Sequence, residues 1–318
     1  MKYYSILALL LCVLLLAGCV PLRQTDIPPS TSTSAETTAA PITTEAPATT
    51  VAPETTAAPE TTEAPETTEV PETTAVPETT AAPETTEAPA VIEAPLDLAT
   101  TVFLTFDDGP CLGNTEEVLR ILAEYDIKAT FFTVGRYIDR YPDLLRGIVD
   151  GGHLLGCHSY SHDYASIYAS VDTILADINR WENAVQGVLG ELPENRVYRF
   201  PGGTTNSLLD RNPLYPALLT AVLDAGYRPY DWVLATNDRY FGDMQPGQTM
   251  EEYFFATLKY TLNVANRNPG LPRVMLVHDT SADTVATLPA VLDYLIAQGY
   301  TFATLDKLEE PYIFRPIQ

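Results

Sequence analysis

Two carboxylates stand side by side in TFDDGP, residues 105–110, and two imidazoles stand four residues apart in HSYSH, residues 158–162. Asp107 and Asp108 repel one another, so holding both ionised is costly unless a cation or a base role justifies the pair. A solvated Asp-Asp turn is the plainer alternative. His158 and His162 have the spacing by which two side chains of a helix or helical turn reach one ion. With one carboxylate they make a facial His-His-Asp set that leaves positions open for water and substrate. Such a set suits Zn²⁺ or a similar divalent ion. A third histidine, His278, ends the apolar run 274–277, and the fourth, His153, precedes another apolar run and reads as structural.

Side chains of this kind need elements that stop where they stand. The run Thr101, Val102, Phe103, Leu104 reads as a buried strand ended by the turn at Gly109 and Pro110, and HSYSH follows a second strand at Leu154 and Leu155. Further strands are expected over 129–134, 197–200, 227–234, 274–277 and 300–303. Helices are expected over 114–125, 142–149, 170–188, 213–225, 249–266 and 284–298, with Asn114 as an N-cap. Strand and helix alternating about seven times predict an α/β fold, a distorted parallel (β/α) barrel whose site lies at the carboxyl ends of the strands.

Composition divides the chain into three. Met1 and Lys2, an apolar run over 6–16 and the sequence Leu16-Ala17-Gly18-Cys19 read as an export signal. From about residue 20 to 96 the sequence is rich in Thr, Ala, Pro and Glu, with a six-residue PETT unit whose prolines fall at 53, 59, 65, 71, 77, 83 and 89. Such a segment buries too little apolar surface to offset chain entropy and is expected to be a disordered or extended stalk. Its reach is about 200 Å in the polyproline limit against about 50 Å as a coil. Residues 97–318 are long enough for one domain with its own core. Much of the net charge of −24 lies in the stalk, yet the domain is acidic too, which argues against nucleic acid and suits an uncharged glycan. Cys111 and Cys157 each adjoin a site motif, so a disulfide between them is open in an oxidising compartment.

The end of the leader resembles the lipobox of bacterial lipoproteins, which implies lipidation at Cys19. In the domain, TFDDGP, HSYSH, RFPGG at 199–203, the pair Asp231-Trp232 and LVHD at 276–279 resemble, in order, the five motifs of the NodB-homology polysaccharide deacetylases, carbohydrate esterase family 4 (CE4). The resemblance spans essentially the whole domain. It implies that Asp108, His158 and His162 hold a divalent metal, most simply zinc, and that Asp107 is the general base, held in place by Arg199. It implies further that the backbone N–H near Gly202 stabilises the oxyanion and that His278 is the general acid, oriented by Asp231. Trp232 and Leu276 would line the acetyl pocket, or belong to the core.

The sequence departs from the family pattern in three places. Gly202 stands where many members carry an aromatic residue, so part of the pocket wall is missing or supplied elsewhere. After Trp232 the chain reads VLATND rather than a polar continuation. The insertion 238–248, with Tyr240 and Phe241, reads as a rim loop for sugar rings or as a plain connection. Together these readings predict a membrane-tethered, metal-dependent enzyme that removes N-acetyl groups from a cell-wall glycan, most simply peptidoglycan, at the outer face of the cell membrane. A monomer is expected. An O-acetyl esterase acting on xylan is the alternative enzyme, and a wall-binding module without catalysis is the alternative from another class.

Overall fold

The structure, a computed structural model, describes residues 96–316. The expected leader with Cys19, and all of the expected stalk but Leu96, lie outside the described residues. Within them, eight parallel strands form one sheet: β1 Thr101–Asp107, β2 Thr130–Thr133, β3 Leu154–Cys157, β4 Val197–Tyr198, β5 Arg228–Pro229, β6 Leu234–Ala235, β7 Arg273–His278 and β8 Thr301–Phe302. Their order is β5-β4-β3-β2-β1-β7-β6, and β8 pairs with the start of β1. All seven residues of β1 are buried. Lying between β2 and β7 with both faces covered, β1 is near-continuously apolar rather than alternating.

The stretch 227–234, expected as one strand, is two short ones at opposite ends of the sheet path. Tyr230 N–H donates to Tyr198 O at 2.9 Å on the β4 side, and Val233 N–H donates to Val274 O at 2.8 Å on the β7 side. Four connecting residues reach at most about 14 Å. The two edges must therefore come round toward each other, which curls the sheet into a half-barrel and gathers the carboxyl ends of its strands.

The long helices fall where periodicity places them: Asn114–Glu124, Pro142–Asp150, Val171–Leu189, Tyr215–Asp224, Met250–Asn266 and Ala282–Ala297. Helix 171–189 shows why. Ser170 Oγ accepts from Thr173 N–H at 3.1 Å as its N-cap, Ile174, Ile178, Trp181 and Val185 form its buried stripe, and it stops at Gly190, whose φ is +83°. Trp181 Nε1 donates to Thr133 O at 2.9 Å, which ties the helix to the end of β2. Three short helices, Gly135–Arg140, Tyr164–Ile167 and Ser207–Asp210, lie in loops where no helix was expected. Two apolar clusters fill the domain, one around β1 and β7 and one beneath helix 171–189 around Trp181, Tyr198 and Phe200.

Candidate active site

Strand ends bring the expected residues together. Asp107 is the last residue of β1 and His278 the last of β7, and the two are register partners across that pair of strands. His158 follows directly on β3 and Arg199 on β4. Asp108 turns off β1 with φ +75°, and Ser159 and His162 have φ +69° and +53°. Residues other than glycine rarely adopt this left-handed region, and such strain collects at functional sites.

HSYSH is therefore a tight loop and not the helical turn expected from its spacing. Two observations show what fixes it: Ser159 Oγ accepts from His162 N–H at 2.7 Å, and the buried Asp177 carboxylate accepts from Tyr160 N–H at 2.6 Å and Ser161 N–H at 3.1 Å. The loop folds back so that the two imidazole centroids lie 5.1 Å apart.

Asp108 Oδ1 lies 3.4 Å from His158 Nε2 and 3.1 Å from His162 Nε2. His158 Nδ1 lies 2.9 Å from Arg199 O. A carbonyl only accepts, so Nδ1 carries a proton, and in the neutral ring Nε2 then directs a bare lone pair at a carboxylate oxygen. A cation must stand between them, a proton or a metal ion. Among the described residues, Asp108, His158 and His162 are the three whose ligand atoms cluster closely enough to hold one ion, all within 4.8 Å of one another. Two nitrogens and one oxygen fit a zinc-like ion with open positions. Burial alone would raise the Asp108 carboxyl, but hydrogen bonds from His158 and His162 and the charges of His158 and His278 hold it well below the usual carboxylate range.

Asp107, beside it, has a different environment. Its Oδ1 accepts from Nη1 of the fully buried Arg199 at 2.8 Å, and its Oδ2 faces His158 Nε2 at 3.7 Å. Arg199 also donates from Nη1 to Thr105 Oγ1 at 2.6 Å, from Nε to Tyr230 O at 2.9 Å and from Nη2 to Asp231 O at 3.2 Å. Its guanidinium lies 4.2 Å above the Phe132 ring. So held, it fixes one oxygen of Asp107 and leaves the other toward the site.

The expected partner of His278 is corrected. The carboxylate of Asp231 accepts from Thr204 N–H at 3.0 Å, from Thr204 Oγ and from Phe314 N–H at 2.7 Å, and so pins the RFPGG loop to the C-terminal segment. The carboxylate that holds His278 is Asp238, with Oδ1 2.9 Å from Nδ1 of the ring and Oδ2 accepting from His278 N–H at 2.7 Å. Asp238 is buried and also accepts from Thr284 Oγ. Burial disfavours the charged imidazole, yet the Asp238 hydrogen bond and charge, with the charges of Asp108 and Asp107, outweigh it and raise the His278 pKa. An acidic residue three positions beyond β6 was the available signal. Its position in the insertion hid it.

Gly202 and Gly203 both have positive φ, +75° and +74°. Gly203 N–H is used by Phe200 O at 2.7 Å, whereas among the described residues no acceptor takes the exposed Gly202 N–H. A Cβ on Gly203 would sit 2.8 Å from the Trp232 ring, so only glycine lets that indole close on the loop. A Cβ on Gly202 would sit 3.0 Å from the Tyr164 ring. Tyr164, which was not anticipated, therefore supplies an aromatic surface beside Gly202, and its ring packs against His162 at 5.1 Å between centroids. Burial, then the charges of Asp108 and Asp107, push its phenol up to about 12. Trp232 and Leu276 line a cleft of about 250 Å³ with Tyr240 and His278. Tyr240 is exposed at this cleft, and the exposed Phe241 follows it in the chain with its ring 6.5 Å from that of Tyr253.

Cys111 and Cys157, between which the sequence leaves a disulfide open, are both free thiols. Cys157 is buried as the last residue of β3, whereas Cys111 lies on the turn after β1, its thiol directed at Leu112 O. His153 is structural as expected, its Nδ1 accepting from Ala129 N–H at 3.2 Å.

Taken together, a curled parallel sheet with carboxylates, imidazoles and a buried arginine at its carboxyl ends defines an α/β half-barrel whose site has the groups for metal-assisted hydrolysis. Residues 97–213 match the sequence model of the family described as "Polysaccharide deacetylase". The chain is 30% identical over 210 residues to a peptidoglycan-N-acetylglucosamine deacetylase of Bacillus cereus, covering 65% of this chain and 87% of that one. It is 29% identical over 210 residues to the peptidoglycan-N-acetylmuramic acid deacetylase of Bacillus subtilis, covering 65% and 71%. Among solved structures, a CE4 esterase from Streptococcus mutans superposes with a TM-score of 0.56 at 32% identity, covering 65% and 87%. The chain belongs to the polysaccharide deacetylase family, CE4.

Proposed function

We propose that this protein is a metal-dependent deacetylase that removes N-acetyl groups from peptidoglycan, tethered to the outer face of the membrane through a lipid on Cys19 and carried by the stalk. The observation that carries the reading is the division of labour between neighbours: Asp108 faces two imidazoles, whereas Asp107 faces a buried arginine and keeps one oxygen toward the site. The relatives named for peptidoglycan support that substrate, and the leader and stalk support the tether.

Asp108, His158 and His162 would hold the ion, with zinc favoured by the donor set. When bound, the ion would polarise the acetyl carbonyl and acidify the attacking water. Asp107, oriented through Oδ1 by Arg199, takes the proton of that water on Oδ2. The Gly202 N–H, which has no acceptor among the described residues, would donate to the acetyl oxygen as negative charge develops on it. His278, whose imidazolium form Asp238 favours at Nδ1, gives the Nε2 proton to the departing nitrogen, so acetate and a free amine leave. Trp232 and Leu276 enclose the acetyl methyl, and Tyr240 and Phe241 offer faces for sugar rings.

The test is acetate release by the Zn²⁺-loaded chain on N-acetylglucosamine oligomers, peptidoglycan and acetylated xylan in parallel. Chelator-sensitive release from the amide substrates is expected. Release from xylan alone would make it the O-acetyl esterase, and release from none, with metal bound, would make it a wall-binding module.

A further inference from the structure

On the other side of Asp108 and His162 lies a second cleft, of about 330 Å³, whose wall carries Arg136, Arg140 and Arg239. Arg136 and Arg140 are four apart on helix 135–140, both exposed, and among the described residues neither forms an ion pair. The one acidic residue of that helix, Asp139, accepts instead from Tyr160 OH at 2.7 Å. Each guanidinium is steadied by a ring, Arg136 4.8 Å from the centroid of Tyr137 and Arg140 5.2 Å from that of Tyr141. Arg239 comes from the insertion after β6 and reaches Asp108 Oδ2 at 3.3 Å, the oxygen turned away from the two imidazoles. It also lines the cleft of Trp232, Leu276 and His278, and so borders both clefts.

We propose that Arg136, Arg140 and Arg239 form an anion subsite beside the hydrolytic centre, which takes a carboxylate carried by the glycan. The inference rests on the deacetylase reading and specifies its substrate class: an acetamido sugar flanked by an acid-bearing residue. The domain is itself acidic, so its field repels an anionic polymer and productive binding needs a local cluster of the opposite sign. Guanidinium groups suit the task because their planar fork meets a carboxylate with two parallel hydrogen bonds. The acid could be the lactyl group of a muramic acid or a carboxylate of a stem peptide, two sources with the same chemistry.

The experiment compares kcat/KM for acetate release by the Zn²⁺-loaded full chain on two peptide-free tetrasaccharides of alternating N-acetylglucosamine and N-acetylmuramic acid. One has free lactyl carboxylates and the other the same groups as methyl amides; a third substrate has amidated lactyl groups linked to a stem peptide with free acids. Preference for an acid-bearing substrate is expected, about 5- to 10-fold, expressed in KM and weakened by salt. In the Arg136→Gln/Arg140→Gln double variant that ratio should fall to within about 2-fold, whereas Arg136→Lys/Arg140→Lys should retain part of it. Loss of a preference for the free lactyl acid assigns the source to the sugar, and loss of a preference confined to the third substrate assigns it to the peptide. A preference in neither, or one that the double variant retains, overturns the subsite. Calorimetric titration of the turnover-blocked Asp107→Asn chain with the same three glycans reads the subsite without turnover. Tighter binding of the acid forms, abolished by the two Gln substitutions, supports it even if the deacetylase reading fails, and equal binding overturns it.

Discussion

His278 Nδ1 lies 2.9 Å from Asp238 Oδ1, a carboxylate that the chain delivers from beyond β6, after crossing between the two edges of the sheet. The bond raises the imidazole pKa against the effect of burial. A general acid must be protonated to act, so activity is lost as pH rises through this pKa. Asp238→Asn removes the charge that raises it. The alkaline limb of the pH–rate profile should move to lower pH, and kcat should fall by about 10- to 100-fold, less than for loss of the acid itself. Asp231→Asn should leave that limb in place and lower thermal stability, because its carboxylate holds Thr204 and Phe314. The two profiles, measured side by side, separate the roles.

Arg199 and Asp107 form a wholly buried pair at 2.8 Å. Removing one partner leaves the other charge without compensation, at a cost of about 3–5 kcal/mol. Urea unfolding of Arg199→Met should show a loss of this size. The Arg199→Met/Asp107→Asn double variant should recover much of it, since no buried charge then stands alone. A double variant as unstable as the single one would place the loss in the bonds of Arg199 to Thr105 and to the Tyr230 and Asp231 carbonyls instead.

His153 carries a pH signature of stability apart from catalysis. Burial, then the charge of Lys128, lowers its pKa to about 4, against about 6.5 for an exposed imidazole. The neutral ring is favoured in the folded state, so its contribution is complete above pH 6.5 and is lost as pH falls toward 4. At full depth the effect is a few kcal/mol. His153→Asn keeps an acceptor for the Ala129 N–H but cannot take a charge. Melting temperatures of the two proteins should diverge from pH 7 to pH 4, with the variant losing less.

Much of this site was legible in the sequence because strand ends are marked in it. TFDDGP places two carboxylates where an apolar run stops, and HSYSH, RFPGG and LVHD follow the same rule. Each lies at a carboxyl end of the central sheet, and the register of β1 with β7 sets Asp107 beside His278. What escaped the reading depends on chain direction rather than composition. Strands β5 and β6 have two residues each, too few for a period, and the change of edge between them is fixed by closure of the sheet. That crossing decides whether Asp231 or Asp238 meets His278. The helical spacing of His158 and His162 misled for a related reason: left-handed residues at Ser159 and His162 reverse the loop, and Asp177, from a distant helix, holds it. Tyr164 gave no signal because it fills from another loop the space beside Gly202.

The measurement that tests the central claim most directly is zinc titration and acetate release carried out together on the full chain, Asp107→Asn and Asp108→Asn. Asp108 Oδ1 faces both imidazoles, and Asp107 faces Arg199. The account predicts that Asp107→Asn binds one equivalent of Zn²⁺ with affinity close to that of the unaltered chain and releases almost no acetate from N-acetylglucosamine oligomers. Asp108→Asn should lose metal affinity by at least about 10-fold, and its activity with it. Equal loss of metal in both variants, or turnover retained by Asp107→Asn, would contradict the division of the two carboxylates into base and ligand.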